Sequence, residues 1–155
     1  MRRYFSTTIF CCLVLVPCLS SASHGAAAKS PVPDTAYLQK IWDGWETLDA
    51  AHQTQFYAQG PHTFFDEAPL KYESWKEFEA GVAKILTTIK SAKFEVAEPR
   101  IHPCGEYVWA TALINQDAIL KDGKRDKAIL RWTVVFHHED GKWLIVHEHV
   151  SRPTE

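Results

Sequence analysis

One carboxylate stands between two imidazoles near the end of the chain, in Trp143-Leu-Ile-Val-His-Glu-His-Val-Ser151. Side chains along a strand alternate between faces, so Glu148 points one way while His147 and His149 point the other. The two directions offer different chemistry. An acid surrounded by Trp132, Val134 and Val150 loses solvation, which raises its pKa and suits it to general acid or base work near neutrality. At the open end of a sheet the same carboxylate would be solvated and chemically idle. His147 and His149 could supply two metal ligands, but a third is missing, because His137 lies several residue pairs away along the hairpin. No metal centre is expected. Asp49, directly after the first helix, is either a cap for the next helix or a second acid in the pocket. Trp45, Tyr57, Trp109, Thr111 and Trp132 are the candidate binding residues, able to give an apolar ligand contact area and a few polar anchors.

These residues need a frame. Asp34 can cap a helix from Thr35 to about Leu48, in which Tyr37, Leu38, Ile41, Trp42, Trp45 and Leu48 recur at helical spacing. A short helix over 50–58 is stopped by Gln59-Gly60-Pro61, and Thr63-Phe64-Phe65 is extended. Ser74-Trp-Lys-Glu77 has the pattern of a capping box, opening a helix with Phe78, Val82, Ile85 and Ile89 on one face. From Ser91 onward the chain reads as strand: 93–101, then 107–119, a turn at Lys121-Asp-Gly-Lys124, and a terminal hairpin. Helices first and an antiparallel meander afterwards define an α+β domain, a curved sheet with helices on one face.

Hairpin register decides what faces the helices. Glu139-Asp140-Gly141 fits a three-residue loop that pairs His138 with Lys142. Trp132, Val134, Phe136, Leu144, Val146, Glu148 and Val150 then share the inner face. Arg131, Thr133, Val135, His137, Trp143, Ile145, His147 and His149 share the outer one. A two-residue turn at Asp140-Gly141 would instead flip one strand against the other. On the preceding strand, the bulky set Tyr107, Trp109, Thr111 and Leu113 is expected to form the cavity wall, and the small set Val108, Ala110, Ala112 and Ile114 suits close packing between sheets.

The chain opens with Met1-Arg2-Arg3, an apolar run from Ile9 to Leu19, and small residues at 20–23. That is the pattern of a secretory signal peptide over 1–22, with cleavage as late as 28, followed by a linker over 23–33 and a domain over 34–153. A lipid anchor at Cys18 is disfavoured by Pro17. The expected location is the periplasm or the outside medium. Cleavage would remove Cys11, Cys12 and Cys18 and leave Cys104, too few for an internal disulfide. Loss of Arg2 and Arg3 takes the 17 basic side chains to 15 against 19 acidic, a net charge of −4. Such a balance argues against nucleic acid or an anionic membrane as partner.

Three stretches carry a resemblance: Ile41-Trp-Asp-Gly-Trp-Glu-Thr-Leu-Asp49, Phe56-Tyr-Ala58, and Arg131-x-Thr-x-Val continuing through Asp140-Gly-Lys-Trp-Leu-Ile-Val-His-Glu-His-Val-Ser151. On these the chain resembles the SnoaL-like branch of the nuclear transport factor 2-like superfamily. The last stretch, with Pro99-Arg-Ile-His-Pro-Cys-Gly105, also looks like the association domain of calcium/calmodulin-dependent protein kinases. The resemblance implies a cone-shaped pocket between helices and sheet, and homodimers packed through the sheet's outer face. The pocket arginines of association domains fall where this chain has Thr111, Val134 and Val150. Isomerases of the superfamily pair a tyrosine donor with carboxylates, and Tyr57, Asp49 and Glu148 are loose counterparts. The expectation is an exported protein that holds a small, mostly apolar molecule; if it is an enzyme, of isomerase, cyclase or dehydratase type, proton transfer on a carbonyl compound is its natural chemistry. Glu148 would be the base, Tyr57 would stabilise the enolate oxygen, and no cofactor would be needed. A non-catalytic dimerisation or assembly module is the alternative.

Overall fold

The computed structural model describes residues 31–67 and 69–154. The expected signal peptide and most of the linker lie outside the described residues. Helix α1 spans Thr35–Trp45, and Asp34 caps it by accepting from the Tyr37 amide at 2.8 Å. Leu38, Ile41, Trp42 and Trp45 are its buried stripe. It ends three residues earlier than the periodicity predicts, because the chain turns out through Leu48 at a positive φ of 57°. A 3-10 helix follows over Ala50–Phe56. It packs against α1 through the buried Gln53, whose Nε2 donates to the Ile41 carbonyl at 2.9 Å.

A two-residue strand, β1 (Phe64–Phe65), precedes α2 (Trp75–Leu86). Ser74 caps α2 by accepting from the Glu77 amide. The Glu77 carboxylate reaches back one residue further than a capping box requires, to the Glu73 amide. The buried face of α2 is Trp75, Phe78, Val82 and Leu86. The expected face had included Ile85 and Ile89; Ile85 is 43% exposed, and Ile89 already begins the sheet. Gly81 is where the chain from β1 crosses the helix: a Cβ there would lie 2.4 Å from the Tyr72 ring.

Four long strands follow: β2 (Ile89–Cys104), β3 (Tyr107–Leu120), β4 (Arg125–Glu139) and β5 (Lys142–Ser151). They form an antiparallel meander, and β1 adds in parallel to the far edge, giving the order β1-β5-β4-β3-β2. An extra residue beside Glu98, whose φ is 51°, bulges β2 between Ala97 and Arg100 and bends the sheet around the helices. The result is the expected α+β cone, with an open five-stranded sheet.

The terminal hairpin corrects the sequence reading in an instructive way. Glu139 pairs with Lys142, so the connection is a two-residue turn with Asp140 and Gly141 both at positive φ, 47° and 78°. Asp-Gly suits this type I′ turn, whose twist matches the flanking strands. The expected pairing of His138 with Lys142 is therefore overturned. Trp143 and Ile145 face inward, while Leu144 and Val146, expected inside, are only half-buried. Val146 is then an extra residue: Phe136 pairs with Ile145, yet Val135 pairs with His147. The bulge restores the parity that the shorter turn had reversed. Glu148 therefore faces the helices, opposite Val134.

On β3 the expected assignment is reversed. Val108, Ala110, Ala112 and Ile114 are buried beneath the helices, whereas Tyr107 and Trp109 are 48% and 43% exposed on the outer face. The small side chains leave depth for large partners on the neighbouring strand, as where Ala112 pairs with Trp132.

Candidate functional site

Glu148 is 2% exposed, and both carboxylate oxygens are held. The Tyr57 hydroxyl donates to Oε1 at 2.6 Å, and the Trp132 indole Nε1 donates to Oε2 at 2.9 Å. Tyr57 reaches this position because the chain after the 3-10 helix bridges to Ile145, with the Ala58 amide on the Ile145 carbonyl. The tyrosine ring stacks on Trp75 with centroids 4.2 Å apart and meets Trp45 and Phe64 edge-on. An aromatic collar thus fixes the donor, and the donor fixes the acid.

Burial pushes the Glu148 carboxyl from 4.5 up to about 7, against the pull of its two hydrogen bonds. A carboxyl poised there can both take and return a proton at neutral pH. Tyr57 is pushed well above the ordinary tyrosine range by burial and then by the Glu148 charge, so it stays a neutral donor. Its hydroxyl is engaged with Glu148 rather than held ready for a substrate oxygen. In this geometry Tyr57 positions Glu148, and the expected enolate contact would require its hydroxyl to leave Oε1.

A cavity of roughly 290 Å³ reaches Glu148. Trp42, Trp45, Phe78, Val82, Leu86, Phe94, Leu130 and Val150 make its apolar walls. Asp66, which directly follows β1, lines it too; burial raises this carboxyl to about 6. A polar cluster on the inner face of β3, β4 and the chain after β5 contributes Gln116, Asp126 and Arg152. Arg152 donates from Nη1 and Nη2 to the two oxygens of Asp126 at 2.9 and 2.8 Å, and from Nε to Glu67 at 3.1 Å. Gln116 donates to Asp126 at 2.8 Å.

Of the residues singled out from sequence, Glu148, Tyr57, Trp45 and Trp132 meet around one point. Trp109 and Thr111 do not, since they belong to the outer face; Trp109 stacks on His102 there, 4.0 Å between centroids. Asp49 is also elsewhere: its side chain is 55% exposed and caps the 3-10 helix through the Ala51 amide. His147 and His149 lie outside and flank the Phe65 ring. Asp66, Gln116, Asp126 and Arg152 were not anticipated. Extending the alternation from Trp132 back to Asp126, from Ile114 on to Gln116, and from Val150 on to Arg152 places three of them inside. Asp66 has no such signal, because a two-residue strand sets no period.

An open cone of this topology defines a nuclear transport factor 2-like fold. Solved structures agree. A superfamily protein from Salmonella enterica serovar Typhimurium superposes with a TM-score of 0.71 at 20% identity, over 78% of this chain and 89% of that one. A dehydratase candidate of the same family from Streptomyces avermitilis gives 0.68 at 13% identity, over 78% and 95%. The association domain of Caenorhabditis elegans CaMKII gives 0.61 at 16% identity, over 75% and 90%. At these identities the likeness is one of fold. No curated protein matches the sequence. The SnoaL-like domain family matches residues 35–155, and the chain belongs to that family.

Proposed function

We propose that this SnoaL-like protein holds a small, mostly apolar molecule in the conical cavity and moves a proton on it without a cofactor. The observation that carries this reading is a buried carboxyl, raised to about 7, at the end of an aromatic-walled cavity. Glu148 takes the proton from a carbon next to a carbonyl, and Asp66, protonated below about pH 6, is the second acid within the same space. Tyr57 and Trp132 hold Glu148 in place. NMR of 2-tetralone in heavy water tests the chemistry. The protein should accelerate exchange of the α protons, and Glu148→Gln should reduce that acceleration by about 10²–10⁴-fold, the range of general base catalysis. Exchange at the rate of buffer alone would reject it and would favour an assembly role.

The same reading takes the protein as an exported homodimer joined through the outer sheet face. Tyr107, Trp109 and Ile129 are the exposed apolar side chains that support this. Sedimentation should show a dimer that Trp109→Asp with Ile129→Asp converts to monomer. N-terminal sequencing of protein from the native host should begin at residue 23, or as late as residue 29. An intact Met1 would reject export by this route.

A further inference from the structure

The charges around the cavity are one-sided. Asp66, Glu67, Asp126 and Glu148 line it, and among its described lining residues the one basic side chain is Arg152. That guanidinium is already engaged on both edges, with Asp126 on its two Nη atoms and Glu67 on Nε. Three of its five N–H donors are thus taken, and a ligand carboxylate reaching the other two would sit against the Asp126 and Glu67 charges. Glu148 in turn has one donor on each oxygen. Asp66 is half-buried at the same cavity and accepts from the Glu67 amide at 2.8 Å, a local bond that does not cancel its charge. Opposite charge is therefore what the space lacks, and a low-dielectric site strengthens the attraction for it. Trp42, Trp45 and Phe78 add aromatic surface, which attracts cations as well as apolar groups.

We propose that the cavity selects a hydrophobic cation, a protonated amine on an aromatic or alicyclic skeleton, with its ammonium group at Asp66 and its apolar body against the Trp42 and Trp45 wall. This specifies the ligand class for the small-molecule site proposed above and rests on that reading. It accounts for the way Arg152 is held: the guanidinium braces Asp126 and Glu67 in place instead of receiving a ligand. It also sets this cavity apart from one that captures acids.

Calorimetric titration with three probes of one skeleton tests it: 4-phenylbutylamine, 4-phenylbutan-1-ol and 4-phenylbutyrate. At about pH 7.5 the amine is cationic. It should bind about tenfold tighter than the alcohol, and the carboxylate about tenfold weaker. Asp66→Asn should bring the amine to within about threefold of the alcohol, both measured on that variant. Equal binding of amine and alcohol by the wild-type protein would overturn the cation preference and leave the apolar site standing. Tightest binding by the carboxylate would overturn it and assign Arg152 to the ligand. Failure of all three to bind would overturn both readings. The wild-type ranking decides the matter even if Asp66→Asn does not fold.

Discussion

The two faces of the sheet use similar side chains to opposite ends. On the inner face, Trp132 is 1% exposed, pairs with an alanine on one side, and donates its indole N–H to a buried acid. On the outer face, Trp109 is 43% exposed and stacks on His102. The contrast extends to the titratable groups. Glu148 is sealed in and shifted to about 7, while its sequence neighbours His147 and His149 border a surface phenylalanine. Three adjacent residues thus occupy two electrostatic settings. Strand parity, not residue type, decides which one is primed for chemistry.

The sharpest test of that contrast compares the tryptophans. Trp132→Ala should cost about 3–5 kcal/mol in urea unfolding, because it opens a cavity and strips a donor from Glu148. Trp109→Ala, measured at a protein concentration too low for the proposed dimer to form, should cost under about 1 kcal/mol, as expected for a side chain exposed in the single chain. Equal costs would erase the distinction between the faces.

Next comes the pH dependence of stability. The Glu148 carboxyl binds its proton more tightly in the folded chain, about 7 against 4.5, so the native state is favoured while the group is protonated. Stability should fall as pH rises from about 4.5 to 7 and then level off, by on the order of 3 kcal/mol from this group. Asp66, raised from 3.8 to about 6, adds a fall of similar size in the same direction that ends earlier. Glu148→Gln should remove about half of the combined fall in urea titrations, and nearly all of the part between about pH 6 and 7. An unchanged slope would place the responsible group elsewhere.

Tyr57→Phe should cost about 1–3 kcal/mol, since it leaves a buried carboxylate oxygen without its donor. It should also raise the Glu148 pKa further, which extends the same fall to higher pH and separates a lost hydrogen bond from a mere loss of packing. The smallest effect belongs to the bulge. Deleting Val146 leaves Ile145 and Glu148 separated by His147 alone, a strictly alternating strand of the same facing. The variant should fold with a loss of no more than about 1–2 kcal/mol and keep the Glu148 slope. Loss of the slope would show that the bulge does more than restore parity.

Much of the fold was legible in the sequence because its signals are local. Asp34 and Ser74 cap helices, Asp-Gly marks the hairpin, and β-formers alternate with polar residues after Ser91. The errors arose where position depends on something distant. The hairpin has a two-residue turn and a bulge where the local signal suggests a three-residue loop and none; the two departures cancel in parity, so Glu148 faces inward as expected while Leu144 and Val146 do not. The β3 faces are the reverse of the expectation because bulk does not mark the cavity wall here. The tightly packed inner face instead uses Ala110 and Ala112, and Tyr107 and Trp109 are left outside. Asp66 could not be found by periodicity, and its importance comes from the chain crossing to the sheet edge beside Glu148.

The central claim is that the Glu148 carboxyl is withdrawn from water and poised near neutrality against the cavity. The most direct measurement is a carbon-13 NMR titration of the glutamate side-chain carboxyls, with the Glu148 resonance identified by its absence in Glu148→Gln. A midpoint at about 7 is the predicted result. A midpoint near the ordinary 4.5 would contradict the account and return Glu148 to the solvated edge of the sheet.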